Sequence, residues 1–125
     1  MLFRSVSDDQ QRVTVRKLWQ SIDVGTVVNP SGAMAQAEGA ALWGLSLALH
    51  EGATFAEGQV QQRNLDTYTP LRMADVPELD IAFIDSEAFP SGLGEPPLIP
   101  VAPAIGNAIF AATGKRVRDL PIRLG

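Results

Sequence analysis

One carboxylate is set between glycines and prolines in the segment Gly92-Leu93-Gly94-Glu95-Pro96-Pro97. Glycine lets the backbone approach another group closely, and the two prolines stiffen the chain and bias Glu95 away from the α region. On such a rigid, largely apolar mount, burial would raise the carboxyl pKa and suit Glu95 to general base chemistry. The plain alternative is a surface turn glutamate. A second candidate is Gln36, the amide of an otherwise apolar stretch. It either grips the polar edge of a ligand or is a core amide bonded to backbone. Glu38 reads as a structural carboxylate paired with a backbone or arginine group. His50 reads as a residue at a helix end, where a cation suits the dipole. Asp23 and Asp85 end strands, a position common both in turns and in sites. A lone histidine and no G-x-S-x-G leave no serine triad to argue. Gly92-Leu93-Gly94 by itself is a weak phosphate-loop signal.

The elements that must position these residues follow from hydrophobic period and punctuation. Residues 13–23 (VTVRKLWQSID) alternate roughly and predict a strand. The loop through Gly25 and Asn29-Pro30 leads to Ser31, the expected N-cap of a helix from Gly32 to His50. That helix has apolar residues on nearly every side, so it belongs inside something larger than this chain can wrap. Residues 53–56 and 59–62 flank Glu57-Gly58 as a short hairpin. The stretch 64–77 is irregular, and 79–85 (LDIAFID) predicts another strand. A proline-rich loop, 86–101, precedes a second apolar helix that starts near Ala102, has Pro103 in its first turn and stops at Gly114. Residues 118–124 read as an extended tail. The expected fold is α+β, with two apolar helices packed on a small mixed sheet of about five strands.

The chain has 125 residues and a net charge of −4, consistent with one modest domain. No cysteine is present, which excludes disulfides, thiolate metal sites and cysteine nucleophiles within it, and a single histidine excludes a multi-histidine cage. No metal-ligating residue is therefore assigned. Basic residues gather near the two ends, while the middle has Arg63 and Arg72 against many carboxylates. An acidic middle argues against a nucleic-acid surface. The basic C-terminal run reads as a solvated end. The longest apolar run, 39–49, is shorter than the roughly 20 residues of a membrane span. No targeting signal is visible, so no membrane partner is expected, and a cytoplasmic or periplasmic location is.

The motifs Asp23-Val24-Gly25, Asn29-Pro30, Gln36-Ala37-Glu38-Gly39, Tyr68, Gly94-Glu95-Pro96-Pro97 and 102–109 (APAIGNAI), in that order, resemble one family. They are similar to the C-terminal portion of the molybdopterin-binding large subunit in the xanthine oxidase/aldehyde oxidase family. Within it, the likeness is to isoquinoline 1-oxidoreductase beta subunits and bacterial aldehyde dehydrogenase large subunits. Many members have two glycines after the glutamate of the first motif, where this chain has Gly39-Ala40. The resemblance implies a molybdenum hydroxylase acting on an N-heterocycle or aldehyde with water as oxygen source. It implies Glu95 as the catalytic base, Gln36 as a pterin contact and Gly94 as the backbone that approaches the cofactor. The implied cofactor is molybdopterin cytosine dinucleotide with molybdenum, and a [2Fe–2S] cluster belongs to a partner domain or subunit.

Residues 1–12 then form a polar lead, and 13–125 the C-terminal portion of a molybdopterin-binding domain. The expected partners are the rest of the large subunit, or an upstream-encoded chain, and a small iron–sulfur subunit. Isolated, the chain is expected to be inactive and to associate with itself through its apolar helices. The competing expectation is a truncated, non-catalytic fragment or interaction module that keeps the fold alone. A small-ligand binding protein built on the Gln36 helix is a third.

Overall fold

A computed structural model describes residues 13–124, so the polar lead over 1–12 lies outside the described residues. The order of elements is β1 (Lys17–Ile22), α1 (Pro30–Leu49), β2 (Phe55–Ala56), β3 (Gln59–Val60), β4 (Glu78–Phe83) and α2 (Val101–Thr113). Short 3-10 turns cover Met73–Asp75 and Pro96–Leu98. The fold is α+β, as the hydrophobic pattern predicts. Four strands are formed among the described residues, in two separate pairs, rather than about five.

The central ladder is parallel. β1 and β4 pair from Lys17 opposite Glu78 to Ile22 opposite Phe83. Leu18, Gln20 and Ile22 alternate inward on β1, and Leu79, Ile81 and Phe83 are the half-buried positions of β4. At the open end of the ladder the Lys17 ammonium lies 2.6 Å from Glu78 and 3.3 Å from Asp80. The hydrogen bond to Glu78 is the main cause that holds the Lys17 pKa above the ordinary lysine range. The strand predicted over 13–23 is regular only over 17–22, because β4 offers partners only there. β2 and β3 form the predicted hairpin, with Glu57 and Gly58 both at positive φ, as a type I′ turn requires.

Helix α1 begins earlier than its sequence predicts. Asn29, not Ser31, is the N-cap: its side-chain oxygen accepts the Gly32 N–H at 3.1 Å, and Pro30 takes the first helical position. A proline there loses no hydrogen bond and presets φ, which favours the earlier start. Ser31 supports the cap by donating its hydroxyl to Asn29 Oδ1 at 3.1 Å. The buried stripe of α1 is built from small residues, Ala37, Ala40, Ala41, Gly44, Ala48 and Ser46, with Leu45 as the large member. This stripe brings neighbours very close. A Cβ on Gly44 would stand 2.7 Å from the carbonyl oxygen of Leu98 and 2.9 Å from the Val101 side chain. Ser46 Oγ accepts the Leu71 N–H at 2.8 Å, which moors the irregular segment to the helix.

Helix α2 contributes Val101, Ile105 and Ile109 to the main core, beside Leu18, Leu45 and Ala48. It ends at Gly114 in the left-handed region, as predicted. Residues 96–113 match a membrane span by length and composition, with mean hydropathy 1.2 over 18 residues. Only Val101–Thr113 is α-helical, about 20 Å against a hydrocarbon core of roughly 30 Å, and its inner face is part of the core.

The tail is docked rather than free. Ile122 and Leu124 are buried. The Ile122 N–H donates to the Ala48 carbonyl at 2.7 Å, and Arg123 donates to the Leu49 carbonyl at 2.8 Å. Part of the basic C-terminal run thus satisfies carbonyls at the end of α1, where a cation is favoured. Another part stacks: the Arg116 guanidinium lies 3.5 Å from the Phe110 ring centroid.

The close approach at Gly44 sets a direct test. Gly44→Ala gains helix propensity but overpacks against backbone, so it should destabilise the fold by about 1–3 kcal/mol. Gly39, on the same helix, has nothing within 4 Å of where a Cβ would stand, so Gly39→Ala should stabilise by up to about 1 kcal/mol. Thermal melts of the two variants against the unsubstituted protein check both signs.

Candidate functional site

Two elements bring the candidate residues together. Gln36 projects from the second turn of α1. The other element is the loop that returns past β1, held by two supports before it reaches Gly94. The first is at Gly25, whose φ is +73° and where a Cβ would fall 2.5 Å from the carbonyl oxygens of Ala88 and Phe89. There the Thr26 N–H donates to Ala88 O at 3.0 Å and the Ser91 N–H to Val24 O at 2.9 Å. The second is Leu93, which packs against the small cluster of Ile22, Val24 and Ala37.

Beyond Leu93 the chain reaches Gly94 and Glu95 and then turns back. A Cβ on Gly94 would lie 3.2 Å from Gln36 Oε1, so the amide rests against the glycine backbone. Pro97 is buried directly after the turn. Gly94 and Glu95 therefore form a tip between two anchors, Leu93 and Pro97. Gln36, Gly94 and Glu95 are all exposed, and Gln36 lies beside the Gly94–Glu95 tip.

Two alternatives left open by the sequence are decided here, and two expectations, on the Glu95 backbone and on Glu38, are corrected. Glu95 is exposed, not buried, among the described residues, because the tip it occupies projects beyond its anchors. Its backbone lies in the α region (φ −113°, ψ −38°) despite the following proline. That conformation lets Glu95 O accept the Leu98 N–H at 2.9 Å and start the 3-10 turn, which outweighs the proline bias. Gln36 is exposed as well. It makes no side-chain hydrogen bond among the described residues, so it is not a core amide. Helix α1 buries its small-residue stripe and leaves Gln36, Glu38, Gly39 and Trp43 outward. Glu38 accordingly has no arginine or backbone partner among the described residues.

The remaining candidates serve the fold. Asp23 Oδ1 accepts the Gly25 N–H at 3.1 Å and closes the turn before the loop contact. His50 is the C-cap of α1, its N–H donating to Ser46 O. Tyr68 donates its hydroxyl to Glu51, and that bond raises the phenol pKa above its ordinary value. A cavity of about 570 Å³ is lined by Leu45, His50, Leu71, Pro77 and Arg123 among others, and none of the three site residues lines it. The three site residues are solvent-exposed instead. Sequence reasoning missed Gln20, which is buried on β1 and donates from Nε2 to the Pro97 carbonyl at 2.8 Å. A polar residue at an inward position of an alternating strand was the available signal.

The polar groups on this face fit contact with the polar edge of a cofactor. Among the described residues no three histidine, cysteine or carboxylate groups gather to hold a metal. The face offers instead an unpaired amide, a side-chain-free backbone where a Cβ would crowd the amide, and a carboxylate.

Comparison with known proteins shows the family of the chain. Residues 5–77 match the molybdopterin cofactor-binding domain family, a range that includes Gln36 and stops before Gly94. The chain is 58% identical over 111 residues to the membrane-bound aldehyde dehydrogenase [pyrroloquinoline-quinone] of Gluconacetobacter polyoxogenes, covering 89% of this chain and 14% of that protein. It is 36% identical over 114 residues to the isoquinoline 1-oxidoreductase subunit beta of Brevundimonas diminuta, covering 91% of this chain and 15% of that protein. Both alignments take in about nine-tenths of this chain, whereas the chain spans only about one-seventh of the length of these relatives. In fold it is similar to the crystal structure of quinoline 2-oxidoreductase from Pseudomonas putida 86, with a TM-score of 0.79 at 22% identity, over 88% of this chain and 15% of that one. The chain belongs to the molybdopterin cofactor-binding domain family of the molybdenum hydroxylases.

Proposed function

We propose that this chain supplies the base-bearing wall of a molybdenum hydroxylase active site, and that the complete enzyme hydroxylates an aldehyde or N-heteroaromatic carbon with oxygen from water. The observation that supports this reading is the contact of exposed Gln36 with the exposed Gly94–Glu95 tip, whose two sides are anchored by Leu93 and Pro97. When bound, a molybdenum cofactor in its cytosine dinucleotide form supplies the two-electron acceptor and activates the water. Glu95 would accept a proton from water at a carboxylate oxygen, and the anchored turn would limit how far the backbone that carries it can move. Gln36 offers two N–H donors and an acceptor to the edge of the pterin. Gly94 lets the cofactor approach without a Cβ in the way.

The face is half of a site. Its cover would come from the rest of the large subunit, and electrons would leave through [2Fe–2S] clusters on a small iron–sulfur subunit. The names of two relatives, an aldehyde dehydrogenase and an isoquinoline oxidoreductase, support both substrate classes. Alone, with Glu95 in water, the chain is catalytically silent. Its exposed apolar residues, such as Phe89 at 92% and Met73 at 87%, meet other parts of the enzyme when it is complete and a second copy when the chain is isolated.

Three outcomes check this reading. In the cofactor-loaded enzyme, Glu95→Gln should keep molybdenum content and cut turnover on the order of 10²-fold or more; retained turnover removes Glu95 as the base. Gln36→Ala should leave the melting of the chain within about 0.5 kcal/mol, since the side chain is exposed and unbonded, while lowering molybdenum content in the complete enzyme. A full cofactor complement in that variant would remove Gln36 as a contact. Sedimentation of the isolated chain at micromolar concentration should show a dimer or larger species, and a monomer of 13.4 kDa would contradict self-association.

A further inference from the structure

Gln20 is 9% exposed, and its Oε1 is buried with no hydrogen-bond partner among the described residues. An orphaned carbonyl in a core is unfavourable, and a methionine or leucine of similar size would avoid it. What the amide contributes in return is one bond, from Nε2 to the Pro97 carbonyl at 2.8 Å. That bond reaches from the central strand to the turn carrying Glu95. The turn is poor in bonds of its own. Pro96 and Pro97 have no N–H, so its closure rests on Leu98 donating to Glu95 O at 2.9 Å and Ile99 donating to Pro96 O at a long 3.3 Å. Gly44 blocks movement of the turn toward α1, where Leu98 O already sits against the helix.

We propose that Gln20 is a positioning residue for Glu95. By holding the carbonyl of Pro97 it fixes the plane of the turn, and with it the direction in which the Glu95 carboxylate leaves the backbone. The orphaned Oε1 is the cost of placing a donor there. This rests on the reading of Glu95 as the base.

The test uses the complete, cofactor-loaded enzyme with Gln20→Met, Glu95→Gln and the double variant. Turnover, KM, molybdenum content, melting temperature and amide hydrogen exchange at Leu98 and Ile99 are measured. Gln20→Met is expected to lower kcat on the order of 10-fold, with KM, molybdenum content and melting temperature unchanged. Exchange at Leu98 and Ile99 is expected to quicken by a similar factor. In the Glu95→Gln background, Gln20→Met should cost nothing more, because it acts only through Glu95. Wild-type kcat in Gln20→Met, or a lowered kcat without faster exchange, overturns the proposal while leaving Glu95 in place as the base. So does a loss that follows cofactor content or melting temperature, or that adds fully to that of Glu95→Gln. Turnover retained in Glu95→Gln overturns the base assignment and this proposal together. Should Gln20→Met not accumulate as folded enzyme, Gln20→Leu serves the same comparison.

Discussion

The backbone of α1 at Gly44 lies directly against the 3-10 turn that precedes α2. A helix and a turn can meet at this distance only if one side has no side chain, and Gly44 provides that. The rest of the arrangement depends on it. With α1 and the turn in contact, Gln36, two turns back along the helix, comes to rest against Gly94, and Val101 enters the core as the first residue of α2. The alanines of α1 extend the same principle along the helix, exchanging side-chain volume for proximity. Interiors are close-packed, so such a seam transmits position well.

A division of labour follows along the loop from Ala88 to Val101. Its first part is zipped to residues 24–26 by backbone bonds and the Gly25 contact. Its last part is pinned from β1 by Gln20 and from α1 by Gly44. The segment between carries the two residues that face outward, Gly94 and Glu95. Rigid supports on both sides of an exposed tip are what a group needs if it is to be held still for a reactant that this chain does not enclose.

Much of this was legible in the residues themselves. Alternation marked both strands of the parallel ladder, although its pairing limits trimmed each end. Gly58 and Gly114 marked the hairpin and the end of α2 by the conformations they permit. The Gly94-Glu95-Pro96-Pro97 tip and Gln36 stood out by type. What the sequence did not convey was which side of α1 faces out. A helix with a methyl or larger apolar group at most positions has almost no amphipathic signal, so the burial of Ala37 and the exposure of Gln36 came only from packing. Ser31 and Asn29 are both good caps, and the proline between them decided for Asn29. Glu95 shows the opposite limit: a local rule about residues before proline gave way to one hydrogen bond that the turn needed.

The docking of the tail on α1 has a consequence for the order of events in synthesis. The carbonyl of Leu49 waits for Arg123, a residue 74 positions later, and that of Ala48 waits for Ile122. Closing so long a loop costs about 4 kcal/mol of chain entropy, which burial of Ile122 and Leu124 must offset. While the ribosome is still adding these residues, the C-terminal end of α1 has open carbonyls and an uncovered core. The last turn of the helix that presents Gln36 therefore gains these protein partners only once residues 122–124 have left the ribosome.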